Sequence, residues 1–305
     1  MSGVFSDQIK VVEVGPRDGL QNEGLTLSVE DRIHFIVNLV AAGCRFLEGG
    51  SFVSPKAIPQ MIDSELVWAG LRNKTEADLS FLVPNLKGLE RAVAADVKSI
   101  AVFTATSNAF NQKNIGMTVK ESMNVLRDLV PQAVEKGLNV RGYISTAFGC
   151  PYEGKQNVGS VVSMTKDLLA YGCYEVSVGD TIGVAHPRQV SEVFSALQAE
   201  IDLSKVAGHF HDTRGAALVN IRTAVEMGLR TFDSSIGGLG GCPYAQGASG
   251  NVATEEVVWL LEGMGLQTGV NLDALMQTAV WIESKIGRQL KSRLFLAKPK
   301  TYFYF

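Results

Sequence analysis

The chain has 305 residues, 46% hydrophobic and 19% charged, which is typical of a globular protein with one large domain or two small ones. A formal net charge of -3 argues against nucleic acid as the main partner, and no apolar run reaches the roughly 18 residues needed to span a bilayer. Neither a signal nor a transit peptide is visible, and the four cysteines form no C-x-x-C pair, so we expect a cytoplasmic protein with free thiols and no zinc knuckle.

Apolar, β-rich runs recur along the chain, and a stretch that is compatible with a helix follows each of them. The predicted strands are residues 9–14, 45–48, 79–83, 99–103, 139–144, 175–178, 206–210 and 231–236. The predicted helices cover about 28–42, a segment after Pro55, a short segment from about 86, 118–135, 158–171, a segment after Pro187, 215–227 and 254–264.

Eight strand–helix units in a chain of this length predict a closed parallel (β/α)8 barrel, the TIM barrel. The barrel is expected at about 9–264, with a helical extension at about 265–305, all in one domain (1–305). An open doubly wound sheet is the competing fold, but it would need a phosphate loop. The chain contains no G-x-G-x-x-G, G-x-x-x-x-G-K-[ST] or G-x-S-x-G motif, so nucleotide cofactors and serine hydrolysis are disfavoured.

Catalytic groups of a parallel barrel lie at the carboxyl ends of its strands. Most of the predicted strands end in polar side chains, which a purely structural barrel does not need. Read in chain order, these are Arg17, Asp18, Glu48, Ser145, Asp180, His209, His211, Asp212, Cys242 and Asn251.

The His209-x-His211 pair is the sharpest local signal among them. Two residues apart on a strand, both imidazoles point to the same face. The alternative is a pair of hydrogen-bonded histidines at a strand end, but the chain has only four histidines. With oxygens from Asp18 and Asn251, the two nitrogens would suit Mg²⁺, Mn²⁺ or a similar ion.

The remaining candidates also have structural alternatives. Arg17 beside Asp18 is either a surface ion pair or a fixed guanidinium for a developing oxyanion. Glu48 is either a solvated strand end or an inward-facing base or ligand-orienting group. Cys242 lies in a loop at 237–251 that is unusually rich in glycine. This loop is either a plain connector or a mobile active-site segment whose accessible thiol acts as an acid or nucleophile.

Longer motifs then identify a family. They are VEVGPRDGLQNE (12–23), SFVSPK (51–56), PNLKG (84–88), RGYIS (141–145), GCPYEG (149–154), GDTIG (179–183) and the glycine-rich loop. From about 11 to 272 the chain resembles the 3-hydroxy-3-methylglutaryl-CoA lyases of the metal-dependent TIM-barrel lyase superfamily.

The resemblance implies a retro-aldol type cleavage of the hydroxymethylglutaryl thioester to acetyl-CoA and acetoacetate. By motif, it implies that Asp18, His209, His211 and Asn251 hold a divalent cation. It assigns Arg17 to the thioester enolate and Cys242 to proton return. It also implies that Glu48 is a carboxylate needed near the metal and that Ser145 is a hydroxyl that contacts the substrate. The expected partner is an acyl-CoA thioester, without nucleic acid or membrane, and a homodimer is expected.

Four positions depart from the family pattern. Gly24 stands where lysine is usual, Ala57 where tryptophan is usual, Asn108 where glutamate is usual, and Arg214 where tyrosine or glycine is common. None removes a proposed ligand, Arg17 or Cys242. Because Gly24 and Ala57 both subtract bulk, we hypothesise a wider acyl pocket.

Two other functions compete with this one. The first is a sibling enzyme, either a lyase for another 3-hydroxyacyl-CoA or an aldolase for a small hydroxy acid, which a substrate panel would separate. The second is a non-catalytic barrel that serves as a binding protein, which the intact set of polar strand ends disfavours.

Overall fold

Eight parallel strands close into a barrel in the computed structural model, which describes residues 7–241 and 250–297. Each strand pairs with its neighbours in sequence, and β1 closes the barrel against β8. The strands are β1 Lys10–Glu13, β2 Phe46–Ser51, β3 Asp78–Leu82, β4 Ser99–Ala105, β5 Asn139–Ser145, β6 Glu175–Asp180, β7 Val206–Phe210 and β8 Thr231–Ser234. This confirms the predicted TIM barrel.

Helices follow the strands and surround the barrel. They are α1 Val29–Ala41, α2 Ser64–Leu71, α3 Leu86–Ala94, α4 Asn108–Ile115, α5 Val119–Glu135, α6 Val158–Tyr171, α7 Pro187–Gln198, α8 Ala217–Glu226, α9 Thr254–Gly263, α10 Leu272–Ile286 and α11 Arg293–Leu296. The last two form the predicted extension beyond the eighth unit. Within the described ranges, no helix is long and apolar enough to cross a membrane.

Two helical segments differ from the sequence prediction. Helix α4 has no counterpart among the predicted helices, and it is held by a local cap, since the Ser107 hydroxyl accepts the Phe110 N–H at 3.0 Å. The segment after Pro55 becomes helical only at Ser64, after a short 3-10 turn at Pro59–Met61. Capping chemistry rather than apolar periodicity therefore defines α4.

The apolar core lies between the strands and the surrounding helices. Phe35 and Leu39 of α1, for example, are fully buried in the same cluster as Leu47 of β2 and Phe81 of β3. Burying each such side chain contributes roughly 1.5–3 kcal/mol. This layer supplies the rigid frame on which the strand ends present their polar side chains.

The barrel interior is partly polar instead. Arg141 of β5 is 1% exposed, and it pairs with Glu175 of β6 and Asp233 of β8. Because these contacts join different strands of the closed sheet, the three side chains point inward. A charged cluster therefore fills the space beneath the carboxyl ends of the strands.

Candidate active site

The loop after β1 carries Arg17 and Asp18 in a single π-helical turn, Gly15–Gly19. π-Helical turns are rare in proteins, and those that do occur are often found at functional sites. The buried Glu13 carboxylate supports the turn, because its Oε1 accepts the backbone N–H groups of Gly15 at 2.8 Å and Ile236 at 3.0 Å. One carboxylate thus links the loop after β1 to the loop after β8.

Arg17 is held rigidly in the mouth of the barrel. Its Nε donates to Oε2 of Glu48 at 2.8 Å, Nη2 pairs with the same oxygen, and Nη1 donates to Oδ1 of Asp18 at 2.7 Å. Burial opposes the charge, but the two carboxylates keep the pKa of Arg17 above its ordinary value. The guanidinium is therefore a fixed cation and not a mobile surface group.

The two histidines lie side by side, as the H-x-H spacing predicts. The centroids of the His209 and His211 rings are 5.2 Å apart. His209 lies in β7, and His211 forms an isolated bridge to Asn251 just past the strand. This bridge brings the amide-bearing end of the glycine-rich loop to the histidine pair.

Asp18 completes the arrangement. Ligand atoms of Asp18, His209 and His211 all lie within 4.8 Å of one another. The second carboxylate oxygen of Asp18 accepts Nδ2 of Asn251 at 2.7 Å. Four residues from three separate regions of the sequence therefore converge at the carboxyl ends of β1, β7 and β8.

This group fits a divalent cation. Among the described residues, the buried Nδ1 of His211 lacks a hydrogen-bond partner. Burying a polar atom in this way is costly unless a ligand such as a cation interacts with it. Burial and the neighbouring His209 lower the pKa of His211 to about 3, so its imidazole is neutral at pH 7. Neutral imidazole and carboxylate are the forms that bind metal.

The other two members of the group, Asp18 and His209, are shifted toward opposite charges. Burial opposes ionisation of Asp18, but Arg17 and the histidines hold its pKa below the ordinary value. Burial also opposes protonation of His209, yet the hydrogen bond and charge of Asp233 hold the pKa of His209 above its ordinary value. Asp18 is therefore an ionised carboxylate beside the neutral imidazole of His211, whereas Asp233 favours protonation of His209.

Glu48 and Ser145 also lie at strand ends. Glu48 is fully buried, and burial raises its pKa despite the opposing charge of Arg17. Its Oε1 is buried without a hydrogen-bond partner among the described residues. Ser145 ends β5 and is half-buried. Cys242 lies outside the described residues, so its role stays a prediction.

The described start of the glycine-rich loop, residues 237–241, which we call its stem, passes close to the site. Gly240 has a φ of 113°, and a Cβ there would lie 2.7 Å from Nδ2 of Asn251. Only glycine combines this backbone conformation with such a close approach. The described residues on this part of the loop, Gly240 and Asn251, therefore lie against each other at the barrel mouth.

Sequence reasoning missed two residues beneath the site. Oδ2 of Asp233 lies 3.1 Å from Nδ1 of His209, within hydrogen-bond distance. Tyr143 packs edge-on against His209 with a centroid separation of 6.4 Å, and the guanidinium carbon of Arg17 lies 6.0 Å from its ring centroid. Charged or hydroxylated residues inside otherwise apolar strands were the available signal.

Known proteins that are similar to this chain indicate its family. The HMGL-like family model matches residues 8–282. A mitochondrial hydroxymethylglutaryl-CoA lyase from Bos taurus is 45% identical over 98% of this chain and 92% of its own length. A Pseudomonas aeruginosa relative, named 3-hydroxy-3-isohexenylglutaryl-CoA/hydroxy-methylglutaryl-CoA lyase, is 46% identical over 94% of this chain and 95% of its own length.

A solved structure extends the likeness to three dimensions. The HMG-CoA lyase from Acinetobacter baumannii, in complex with coenzyme A and 3-methylmalate, superposes with a TM-score of 0.93 at 38% identity, covering 100% of this chain and 99% of its own. The barrel, its polar strand ends and these matches lead to one conclusion. The chain belongs to the HMGL-like family and is a carbon–carbon lyase.

Proposed function

We propose that this enzyme cleaves 3-hydroxy-3-methylglutaryl-CoA to acetyl-CoA and acetoacetate. The observation that carries the proposal is the convergence of Arg17, Asp18, His209 and His211 at the carboxyl ends of the strands. The names of the full-length relatives support the same substrate. An acyl-CoA ligand is also supported by the coenzyme A in the Acinetobacter complex.

Asp18, His209, His211 and Asn251 would hold a divalent cation, which we propose to be Mg²⁺ or Mn²⁺. When bound, such an ion lowers the pKa of a coordinated hydroxyl and orients it. Asn251 donates its Nδ2 to Asp18. Its other amide atom, the carbonyl oxygen, is the one that suits a hard cation.

The reaction needs a base, an electron acceptor and an acid. The tertiary hydroxyl loses its proton, the bond between C2 and C3 of the acyl chain breaks, and its electron pair forms the enolate of acetyl-CoA. We propose that Asp18, whose pKa is held below its ordinary value by Arg17 and the histidines, takes the proton, although a carboxylate that also serves as a metal ligand is a weakened base. Protonation of the enolate carbon then gives acetyl-CoA.

Arg17 is suited to stabilise the enolate oxygen. A guanidinium has five N–H donors, and the contacts to Glu48 and Asp18 use three of them. Among the described residues, two donors on this rigid group are thus left for the substrate. Preorganised donors of this kind act because they need no rearrangement as the charge develops.

Cys242 is the proposed acid that returns a proton to the enolate carbon. Its loop leaves the barrel at Gly241 and returns at Gly250, beside Asn251. A loop anchored at the mouth can bring a thiol to the substrate and exclude water. We propose Ser145 as a substrate contact, because residues 141, 143 and 145 of β5 share the inward face.

The residues at which this chain departs from the family pattern bear on which acyl group the enzyme accepts. Gly24 is exposed, and a Cβ there would meet nothing within 4 Å. Its neighbour Glu23 accepts Nε2 of Gln60 through its backbone oxygen at 2.8 Å, which joins this loop to the one that carries the exposed Ala57. We therefore propose that a longer 3-alkyl branch is also accepted.

The side chains at the other two departures, Asn108 and Arg214, form hydrogen bonds with backbone groups. Oδ1 of Asn108 accepts the Val119 N–H at 2.8 Å, which links the starts of α4 and α5. Arg214 donates through Nη1 to the carbonyl oxygens of Ile182 and Gly183. Both contacts are structural, so the hypothesis of a wider pocket depends on Gly24 and Ala57.

The test is an assay of the purified protein with Mg²⁺ or Mn²⁺ that measures acetyl-CoA and acetoacetate together. We expect equimolar products, loss of turnover with a chelator, and recovery on adding metal. A longer-branched 3-hydroxy-3-alkylglutaryl-CoA should react at a comparable kcat/KM. Turnover of a small hydroxy acid but not of the thioester would favour the sibling aldolase. Homodimerisation and a cytoplasmic location stay predictions, to be checked by light scattering and cell fractionation.

A further inference from the structure

A continuous chain of ion pairs runs through the inside of the barrel and ends at His209. Nζ of Lys10 lies 3.3 Å from Glu175, Nε of Arg141 lies 2.6 Å from the other oxygen of Glu175, and Nη2 of Arg141 lies 2.8 Å from Asp233. Oδ2 of Asp233 then meets Nδ1 of His209 at 3.1 Å. Charged groups with so little exposure are costly to bury, so this arrangement calls for an explanation.

Asp233 cannot rotate away from His209. Its Oδ1 accepts Arg141, and its Oδ2 accepts the Ser177 hydroxyl at 2.7 Å as well as facing His209. The two residues are also direct partners in the parallel register of β7 and β8. Both oxygens and the backbone beneath them are thus fixed.

A carboxylate can only accept hydrogen bonds. Nδ1 of His209 must therefore carry the proton in its hydrogen bond to Oδ2 of Asp233, and Nε2 is the nitrogen left for a ligand. His211 has no such partner on Nδ1 among the described residues. The two imidazoles at the barrel mouth therefore differ, because a carboxylate fixes the tautomer of His209 and no such partner in the described part of the chain fixes that of His211.

We infer that Asp233, clamped by Arg141, is a positioning residue that fixes the tautomer and ring orientation of His209 so that Nε2 faces the divalent cation. This inference rests on the proposed metal site. Partners of this kind on a ligating histidine typically change metal affinity by about 10–100-fold when they are removed.

The variant Asp233→Asn separates positioning from packing, because it keeps the shape of the side chain. Arg141 can donate only to the oxygen of the asparagine amide, so the amide oxygen must face Arg141 and the NH₂ group must face His209. Nδ1 must then accept, and the proton moves to Nε2, where it blocks the metal. The matched control is Glu175→Gln, which removes the other carboxylate bound to Arg141 but has no contact with His209.

The experiment measures Mn²⁺ affinity by calorimetry and the His209 tautomer by long-range ¹H–¹⁵N NMR of the metal-free protein, at a pH where the imidazole is neutral. We expect Nδ1–H in the wild type and in Glu175→Gln, with equal Mn²⁺ affinity. In Asp233→Asn we expect Nε2–H and an affinity about 10–100-fold weaker.

Equal losses in the two variants would mean that Asp233 acts only through packing, and an unchanged affinity or tautomer in Asp233→Asn would also overturn the inference. If Asp233→Asn does not fold, the wild-type spectrum still decides, because an Nε2–H tautomer there contradicts the inference. Wild-type protein that binds no Mn²⁺ would refute the proposed metal site, and the tautomer would still test the role of Asp233.

Discussion

Asn251 donates its amide Nδ2 to Oδ2 of Asp18 over 2.7 Å, although 233 positions separate the two residues in the sequence. The contact connects the loop after β1 to the returning end of the glycine-rich loop. It also places the amide group of Asn251 against the carboxylate of Asp18, the other proposed oxygen donor.

Asn251→Ala removes both this contact and the proposed amide ligand. We predict a loss of Mn²⁺ affinity of at least about 10-fold, measured by calorimetry, with a matching rise in the metal concentration needed for half-maximal turnover. The control is Asn22→Ala, because Asn22 is exposed and its Nδ2 donates to the backbone oxygen of Asp18, at 3.2 Å, and not to the carboxylate. Equal metal affinity in the two variants would argue against Asn251 as a ligand.

Arg17→Lys keeps the positive charge but loses the planar fork that contacts Glu48 and Asp18. If Arg17 acts on the developing enolate, kcat and kcat/KM should fall together by about 10²–10³-fold. The measurement is steady-state kinetics with saturating metal. Arg91→Lys, at a half-exposed pair with Glu65, should leave both constants unchanged. A rise in KM with normal kcat would assign Arg17 to ground-state binding instead.

Gly240→Ala tests the stem of the glycine-rich loop. The new Cβ would lie 2.7 Å from Asn251, at a φ of 113° that alanine disfavours. We predict a roughly 10²-fold fall in kcat, as expected for a displaced site. Gly263→Ala is the control, since a Cβ there meets nothing within 4 Å and lies in α9. Normal turnover by Gly240→Ala would show that the stem tolerates movement.

Glu13 should make stability depend on pH. Burial raises its pKa to about 7 from the ordinary 4.5, although hydrogen bonds from Thr254, Ile236 and Gly15 oppose the shift. Between these values the unfolded chain releases a proton that the folded protein retains, so folding becomes less favourable as the pH rises. The loss should reach about 3 kcal/mol above pH 7.

Urea unfolding of the metal-free protein between pH 5 and pH 8 checks this prediction. Glu13→Gln cannot ionise, so its free energy of unfolding should fall less steeply over the same range. The same slope in wild type and variant would assign the pH dependence to other groups.

Much of the fold could be predicted because each strand and helix carries its own local signal. Strand β7 and helix α6 have the predicted bounds, since the apolar run and the capping residues Asn157 and Gly172 define their ends locally. Helix α4 could not be predicted, because it is short and polar and depends on the Ser107 cap.

The site shows the same division. The polar strand ends are visible in the sequence, because a barrel brings the ends of all eight strands to one face. Asp233 was missed, since its importance comes from its cross-strand partner His209, and the register between β7 and β8 is a property of the folded sheet. The use of three Arg17 donors by Glu48 and Asp18 likewise appears only in three dimensions.

The central claim is that one divalent cation is held between Asp18, His209 and His211. Anomalous diffraction from a crystal soaked in Mn²⁺ tests it most directly. The account predicts one strong anomalous peak within bonding distance, about 2.0–2.3 Å, of the Asp18 carboxylate and of one nitrogen from each imidazole. A peak elsewhere, or none at this site in crystals of active enzyme, would contradict it.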